Sequence, residues 1–206
     1  MNTRKLGNIE VSSIVMGCMG FTHAYGKAPD ENEGIRLVHL AFDRGCNFFD
    51  TAEMYSYFGN EAFVGKALKG LPRDKVVISD KFWPEKFNGH DFPEDKLSEA
   101  GIRKTLEGQL RRLGTDYIDL YTEHQMRDGN EEAVAEVMGK LIKEGKIRAW
   151  GQAQPALSRR PRREMEVWQE IAKNAERGAG EACRHLRRRL IAALMPRKLD
   201  TIPIQN

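Results

Sequence analysis

Short apolar runs alternate along the chain with longer segments whose apolar residues recur at helical spacing. The short runs centre near Val15, Phe49, Ile78, Asp119 and Ala149. They recur at intervals of about 30 residues or somewhat more, which is the length of one strand followed by a crossover helix. Buried strands that alternate with amphipathic helices indicate a parallel sheet, and periodicity alone leaves open whether this sheet is open or closed into a barrel.

Local signals predict where several of these elements begin. Residues 4–11, with a Gly-Asn turn at their centre, resemble a small hairpin, and residues 13–16 are predicted as the first buried strand. Asp30 and Glu33 have the spacing of a capping box in front of an amphipathic helix. Asn60 is predicted to cap the helix that follows the second strand.

Polar side chains follow three of the predicted strands at the point where each strand ends. Asp50 follows a buried pair of phenylalanines, Lys81 follows the third strand, and His124 follows the fourth. Tyr55 lies in the loop after Asp50. A (β/α) barrel collects its catalytic groups at the C-terminal ends of different strands, so this pattern favours the barrel over the open sheet.

Taken singly, these four residues have ordinary structural explanations, such as a turn cap, a loop tyrosine, a solvated strand end and a hydrogen-bonded core histidine. Together they form a plausible acid catalyst, because a phenol is a poor acid at pH 7 unless a cation stabilises its anion. Lys81 can supply that cation, Asp50 can balance the ammonium, and neutral His124 can hydrogen-bond a substrate oxygen. An acid next to a polarised carbonyl is what hydride addition from a nicotinamide cofactor needs.

Composition narrows the class of protein further. The 206 residues are 40% hydrophobic and contain no apolar run of 18 residues, which predicts one globular domain, or a domain with an appendage, and no membrane span. The chain has three cysteines and no evident secretory segment, which favours a location in the reducing cytoplasm. The net charge of +3 is concentrated after residue 156, where amphipathic spacing favours a solvated helical face over a nucleic-acid contact.

Several common site motifs do not occur in the sequence. No Gly-x-Gly-x-x-Gly follows a strand, which argues against a Rossmann site for the nicotinamide cofactor. No Walker loop is present, and no histidine or cysteine spacing suggests zinc, so we expect no metal.

At these residues the sequence resembles the aldo-keto reductase superfamily, from Arg4 to about Gln154. The resemblance rests on the segments 17–20, 45–55, 60–68, 81–82, 119–124 and 145–151. It implies an α/β fold of the (β/α)8 TIM-barrel type and NADP as the cofactor. It also implies a catalytic tetrad, in which Tyr55 is the proton donor, Lys81 and Asp50 tune it, and His124 orients the carbonyl of a small-molecule substrate.

The same resemblance implies which residues contact the ligands. Met19, Asp50, Ala153 and Gln154 are the expected cofactor contacts, and Tyr55 and His124 would face the substrate. Ala153 and Gln154 stand where the family usually places a Ser-Asn pair, so Gln154 alone would supply an amide there. Trp83 is a candidate wall for substrate stacking, with a packing role as the alternative.

Two departures from the family pattern change the expectations. Asp80 stands where a neutral residue is usual. Alternation directs it away from the face of Lys81 and towards the helical layer, where an unpaired carboxylate would be costly. Five strand-helix units are predicted to fill residues 1–155, the barrel portion, and residues 156–206 are expected to be a divergent or truncated, mostly helical segment. The barrel is therefore expected to be incomplete, which invites self-association. The alternative to an enzyme is a non-catalytic remnant or regulatory interaction protein that has lost full cofactor binding.

Overall fold

The computed structural model describes residues 1–85, 95–125 and 131–153. The predicted boundary near residue 155 and the segment 156–206 lie outside these ranges. The strands are β1 (Thr3–Leu6), β2 (Ile9–Ser12), β3 (Met16–Gly17), β4 (Phe48–Asp50), β5 (Val77–Phe82), β6 (Ile118–Glu123) and β7 (Ile147–Gln152). The α-helices are α1 (Glu31–Asp43), α2 (Gly59–Leu68), α3 (Glu99–Leu113) and α4 (Glu131–Lys143).

The five strands β3 to β7 form one parallel sheet in which each strand pairs with the next strand in the sequence. Helices α1 to α4 make the four crossovers between them. A doubly wound sheet reverses its strand order at a switch point, whereas a (β/α) barrel keeps the sequential order seen here. The described residues therefore have the barrel-type arrangement that the sequence predicts.

The predicted hairpin is confirmed as β1 and β2, which pair antiparallel. Ile9 and Val11 of β2 are buried in a small cluster with Val77, Leu120 and Ala149 from three different parallel strands. The hairpin thus covers apolar side chains on the face of the sheet that the crossover helices leave free. This burial explains why the short, alternating strand β2 is ordered at all.

Alternation along β5 assigns its side chains to two different layers. Ile78 and Phe82 belong to the large core between the sheet and the helices, whereas Val77 faces the hairpin cluster. Asp80 is completely buried and bonds Gln109 of α3, so its predicted orientation towards the helices is confirmed. Because both faces of β5 are covered, all of its residues except Lys81 are buried.

The first predicted strand is shorter than the sequence suggests. Only Met16 and Gly17 pair with β4, and Ile14 and Val15 are 62% and 46% exposed. Among the described residues β3 has one neighbouring strand, so nothing covers the other side of this segment. The prediction of a buried strand over residues 13–16 was therefore wrong for most of its length.

Asn60 does not cap helix α2, contrary to the prediction from its position. The helix begins at Gly59, after Phe58 in the left-handed conformation, and Asn60 is completely buried inside the first turn. Its Oδ1 accepts a hydrogen bond from Thr51 Oγ1 (2.6 Å), and its Nδ2 donates to the Cys18 carbonyl (2.8 Å). Asn60 thus joins the loops after β3 and β4, a role that a terminal cap would not have.

The Asp30 half of the predicted capping box is confirmed at the start of helix α1, whereas the carboxylate of Glu33 accepts two hydrogen bonds from Arg36. The carboxylate of Asp30 accepts a hydrogen bond from the backbone N–H of Glu33 at 2.9 Å, which satisfies one of the free donors of the first turn. None of the helices within the described ranges combines the length and the apolar character needed to cross a membrane.

Candidate active site

The carboxyl ends of three adjacent strands bring most of the tetrad together. Asp50 is the last residue of β4, Lys81 is the penultimate residue of β5, and His124 directly follows β6. Lys81 Nζ donates a hydrogen bond to Asp50 Oδ2 at 2.6 Å. The parallel register places these ends at one edge of the sheet, as the sequence predicts. The catalytic roles of these residues stay a prediction at this point.

The ion pair of Lys81 and Asp50 is held by further contacts. Ser79 Oγ donates to Asp50 Oδ1 at 2.9 Å, and Lys81 Nζ donates a second hydrogen bond to the carbonyl of Thr51 at 2.7 Å. The side chains of Lys81 and Asp50 are 15% and 27% exposed. A pair that is mostly shielded from water keeps more of its electrostatic strength than a surface pair does.

Tyr55 lies in the tight loop that connects β4 to α2. Its ring centroid is 5.1 Å from Lys81 Nζ and 5.8 Å from the ring of His124, with the two rings edge to face. The next three residues, 56–58, all have positive φ values between 45° and 74°. Such left-handed geometry is costly for non-glycine residues and is concentrated at functional sites, so this turn fixes the position of Tyr55 at a cost in backbone energy.

His124 is a neutral residue in this site. Burial and, to a smaller extent, the ammonium of Lys81 lower the pKa of His124 to about 4, against the opposing effect of Asp50. Its Nδ1 is buried, and among the described residues it has no hydrogen-bond partner. The backbone N–H of His124 donates to the Phe82 carbonyl at 2.9 Å, which holds the residue against β5. The ring therefore presents an uncharged imidazole next to the phenol.

Trp83 lies beside His124, as a candidate substrate wall should. The two rings meet edge to face with centroids 5.2 Å apart. The backbone N–H of Trp83 donates to Glu53 Oε2 at 2.8 Å, so the start of the loop after β5 is anchored to the loop that carries Tyr55. This position is compatible with both of the alternatives for Trp83, stacking on a substrate and packing.

The expected cofactor contacts in the described residues lie after the edge strands β3 and β7 and at the end of β4. Met19 begins a 3-10 turn after β3, and the neighbouring Cys18 donates its backbone N–H to the Asp50 carbonyl at 2.8 Å. Ala153 follows β7 and donates its N–H to the Glu123 carbonyl at 2.9 Å. Gln154 lies outside the described residues. The structure thus brings the residue that precedes Met19 into contact with Asp50, whereas Ala153 follows the opposite edge strand of the described sheet.

Sequence reasoning missed several residues that support the site. Ser79 shares the face of Lys81 by alternation, so its contact with Asp50 had a readable signal. No sequence signal related Glu53 to Lys96, because 43 residues separate them. They form an ion pair of 2.9 Å, each with a side chain about 1% exposed. Burial raises the pKa of Glu53 and lowers that of Lys96, while the attraction between them opposes both shifts.

Within the ranges that the structure describes, no group of three or more His, Cys, Asp and Glu side chains is arranged to hold a metal ion.

Comparison with known proteins gives a consistent set of similarities. The sequence model of the Aldo/keto reductase family matches residues 13–160. The chain is similar to the probable aldo-keto reductase 1 of Glycine max, with 42% identity over 164 residues that cover 76% of this chain and 46% of the relative. It is also similar to the aldo-keto reductase yakc [NADP(+)] of Schizosaccharomyces pombe, with 38% identity over 72% of this chain and 44% of the relative.

Solved structures show the same likeness. The holo form of aldo-keto reductase AKR11C1 from Bacillus halodurans matches with a TM-score of 0.67 and 34% identity, covering 84% of this chain and 54% of that one. An aldo-keto reductase from Klebsiella pneumoniae in complex with NADPH matches with a TM-score of 0.61 and 33% identity, covering 78% of this chain and 50% of that one. The chain spans about half the length of these relatives.

Proposed function

The chain belongs to the aldo/keto reductase family, and from this premise we propose that it is an NADP-dependent oxidoreductase that reduces an aldehyde or ketone to an alcohol, with Tyr55 as the proton donor. The observation that carries the proposal is the position of Lys81 Nζ. It lies 2.6 Å from Asp50 Oδ2 and 5.1 Å from the ring centroid of Tyr55. A cation in this position favours loss of a proton from the phenol.

Each member of the tetrad has a distinct task in this proposal. Tyr55 gives its hydroxyl proton to the carbonyl oxygen of the substrate, and the ammonium of Lys81 stabilises the phenolate that remains. Asp50 balances the ammonium and fixes its position. Neutral His124 hydrogen-bonds the carbonyl oxygen and orients it towards Tyr55, for which its low pKa of about 4 is suitable.

The residues at this edge of the sheet fit a nicotinamide cofactor. When bound, the reduced nicotinamide supplies the hydride that the carbonyl carbon accepts. Met19 and Asp50 would contact the cofactor from the side of β3 and β4, and Ala153 from the side of β7. Gln154 is the fourth expected contact. The buried Nδ1 of His124, which has no hydrogen-bond partner among the described residues, is consistent with a site built to take a polar ligand. The NADP named for the yeast relative and the Klebsiella structure supports the choice of cofactor.

The second candidate function is that of a non-catalytic interaction protein, because one observation favours it. Ile14 and Val15, next to the edge strand β3, are exposed and border an apolar groove that Leu37 and Leu40 of α1 also line. An exposed apolar strand edge is a common site of self-association. Under this alternative the four residues of the tetrad would be present, but the chain would not catalyse carbonyl reduction.

Two measurements on the purified chain distinguish the candidates. NADPH fluorescence titration tests cofactor binding, and oxidation of NADPH in the presence of an activated aromatic aldehyde tests turnover. The enzyme proposal expects saturable binding and turnover that depends on Tyr55. The interaction protein would be supported by two results together. The chain would show no turnover, whether or not it binds NADPH, and it would associate in a concentration-dependent way in sedimentation.

A further inference from the structure

Asp80 is a buried acid for which the proposed reaction has no role. It directly precedes Lys81 and points to the opposite face of β5, into the layer between the sheet and helices α2 and α3. Its Oδ1 accepts the backbone N–H of Lys81 at 2.8 Å, and its Oδ2 accepts the amide of Gln109 at 2.8 Å. Both donors are uncharged, which leaves an ionised Asp80 without charge compensation from them.

The cations of this layer already have carboxylate partners. Arg112 pairs with the fully buried Glu61, and Lys96 pairs with the buried Glu53 at 2.9 Å. The three carboxyl groups of Asp80, Glu53 and Glu61 thus have two cations, Lys96 and Arg112, as ion-pair partners. The charges balance if one of the three carboxyl groups is neutral, and Asp80 is the one that no cation of the layer contacts.

Glu61 is the charged neighbour that acts most strongly on Asp80. Its Oε1 is buried and has no hydrogen-bond partner among the described residues. A protonated carboxyl group can donate to a carboxylate, so a neutral Asp80 is compatible with this unpaired oxygen. Burial, followed by the charge of Glu61, raises the pKa of Asp80 well above its ordinary value, although Lys81 acts in the opposite direction.

We propose that Asp80 holds a proton at neutral pH and that in this neutral form it positions Lys81 for catalysis. The geometry supports a positioning role because a chain of buried hydrogen bonds ends on the backbone of Lys81. The hydroxyl of Tyr121 donates to Gln109 Oε1 at 2.6 Å, which orients the amide of Gln109 towards Asp80. The same amide lies 3.4 Å from the Lys81 carbonyl.

Infrared spectroscopy of the full chain tests the proton directly. At pH 7 we expect the C=O band of a protonated carboxyl group in the wild-type protein and its loss in Asp80→Asn. Asp119→Asn is the matched control, because Asp119 is equally buried but bonds the guanidinium groups of Arg73 and Arg148 and is therefore ionised. The band should persist in this control. Absence of the band from the wild type, or its persistence in Asp80→Asn, would overturn the proposal.

The pH dependence of unfolding gives an independent test. A proton that is bound in the folded state and released on unfolding makes stability fall as the pH rises. The unfolding midpoint of the wild type should therefore fall relative to that of Asp80→Asn between about pH 5 and pH 8. The other charged or titratable groups around Asp80, namely Glu53, Glu61, Lys81, Lys96, Arg112 and Tyr121, are the same in both proteins. A difference in midpoint that does not vary with pH would contradict the proposal.

The positioning role rests on the proposed function and has its own measurement. Asp80→Ala removes the acceptor of the Lys81 N–H and should lower kcat for aldehyde reduction by about tenfold or more, with little change in the KM for NADPH. Asp80→Asn, which keeps an acceptor oxygen, should recover most of the loss. Wild-type kcat in Asp80→Ala would refute the positioning role. An inactive wild-type protein would instead refute the proposed function, while the infrared and unfolding results would still decide the protonation of Asp80.

Discussion

Replacement of Lys81 by methionine tests the electrostatic core of the proposed site. The change removes the ammonium while keeping a flexible apolar side chain of similar length. The charge lies about 5 Å from the phenol ring, and at an effective dielectric constant of about 20 two unit charges at this distance interact by about 3 kcal/mol. Asp50, at 2.6 Å from the ammonium, offsets part of this interaction. A loss of about 1.5 to 3 kcal/mol remains, which corresponds to about 10- to 100-fold in kcat.

The assay is NADPH oxidation at saturating aldehyde, measured across the pH range in which the protein is stable. Lys66→Met is the matched control, since it makes the same substitution on a lysine that is 59% exposed in a surface pair with Glu31, and it should leave kcat unchanged. If Lys81→Met folded and kept a kcat within about twofold of wild type, the ammonium would not stabilise the phenolate and the reasoning would be refuted.

Three further changes test other parts of the site. Tyr55→Phe should lower kcat by about 10²- to 10⁴-fold with NADPH affinity nearly unchanged in fluorescence titration, and near wild-type turnover would remove the phenol from the mechanism. His124 has a folded pKa of about 4 against an ordinary 6.5, so it contributes stability above about pH 6.5 that is lost as the pH falls towards 4. Denaturant unfolding should show this loss in the wild type but not in His124→Phe; parallel curves would contradict it. Lys96→Met should destabilise the protein by about 3 to 5 kcal/mol because it leaves Glu53 buried without a cation, and Glu53→Gln in addition should restore most of the loss. If Lys96→Met had the same unfolding midpoint as the wild type, the pair of Glu53 and Lys96 would not contribute to stability.

The sequence determined those features that depend on neighbours along the chain. Asp30 caps α1 because a helix start needs an acceptor three residues before a free N–H, a relation that the local spacing already contains. Alternation along β5 assigned Lys81 to the site and Asp80 to the helical layer, because side chains of a strand point to opposite faces in turn. Repeated strand-helix units predicted a parallel sheet with polar residues at its carboxyl edge, and the family resemblance implied a catalytic tetrad on the same residues.

Tertiary structure decided those features in which distant segments meet. The partner of Glu53 is Lys96, and nothing between these positions in the sequence connects them. Asn60 is a residue type that often caps helices, and it lies at the start of α2. Its side-chain amide instead hydrogen-bonds the loops after β3 and β4, because those loops lie beside the first turn of α2. The exposure of Ile14 and Val15 likewise follows from the place of β3 at the edge of the described sheet rather than from their apolar character.

Tertiary structure also decided the charge states of the site. A histidine and an aspartate have ordinary pKa values as long as only the sequence is considered. The low pKa of His124 arises from its burial beside Lys81, and the proposed proton on Asp80 arises from the burial of a carboxyl group whose two hydrogen-bond donors are both uncharged. Desolvation and charge balance depend on every group that packs around an atom, and those groups come from several strands and helices that only the folded chain brings together.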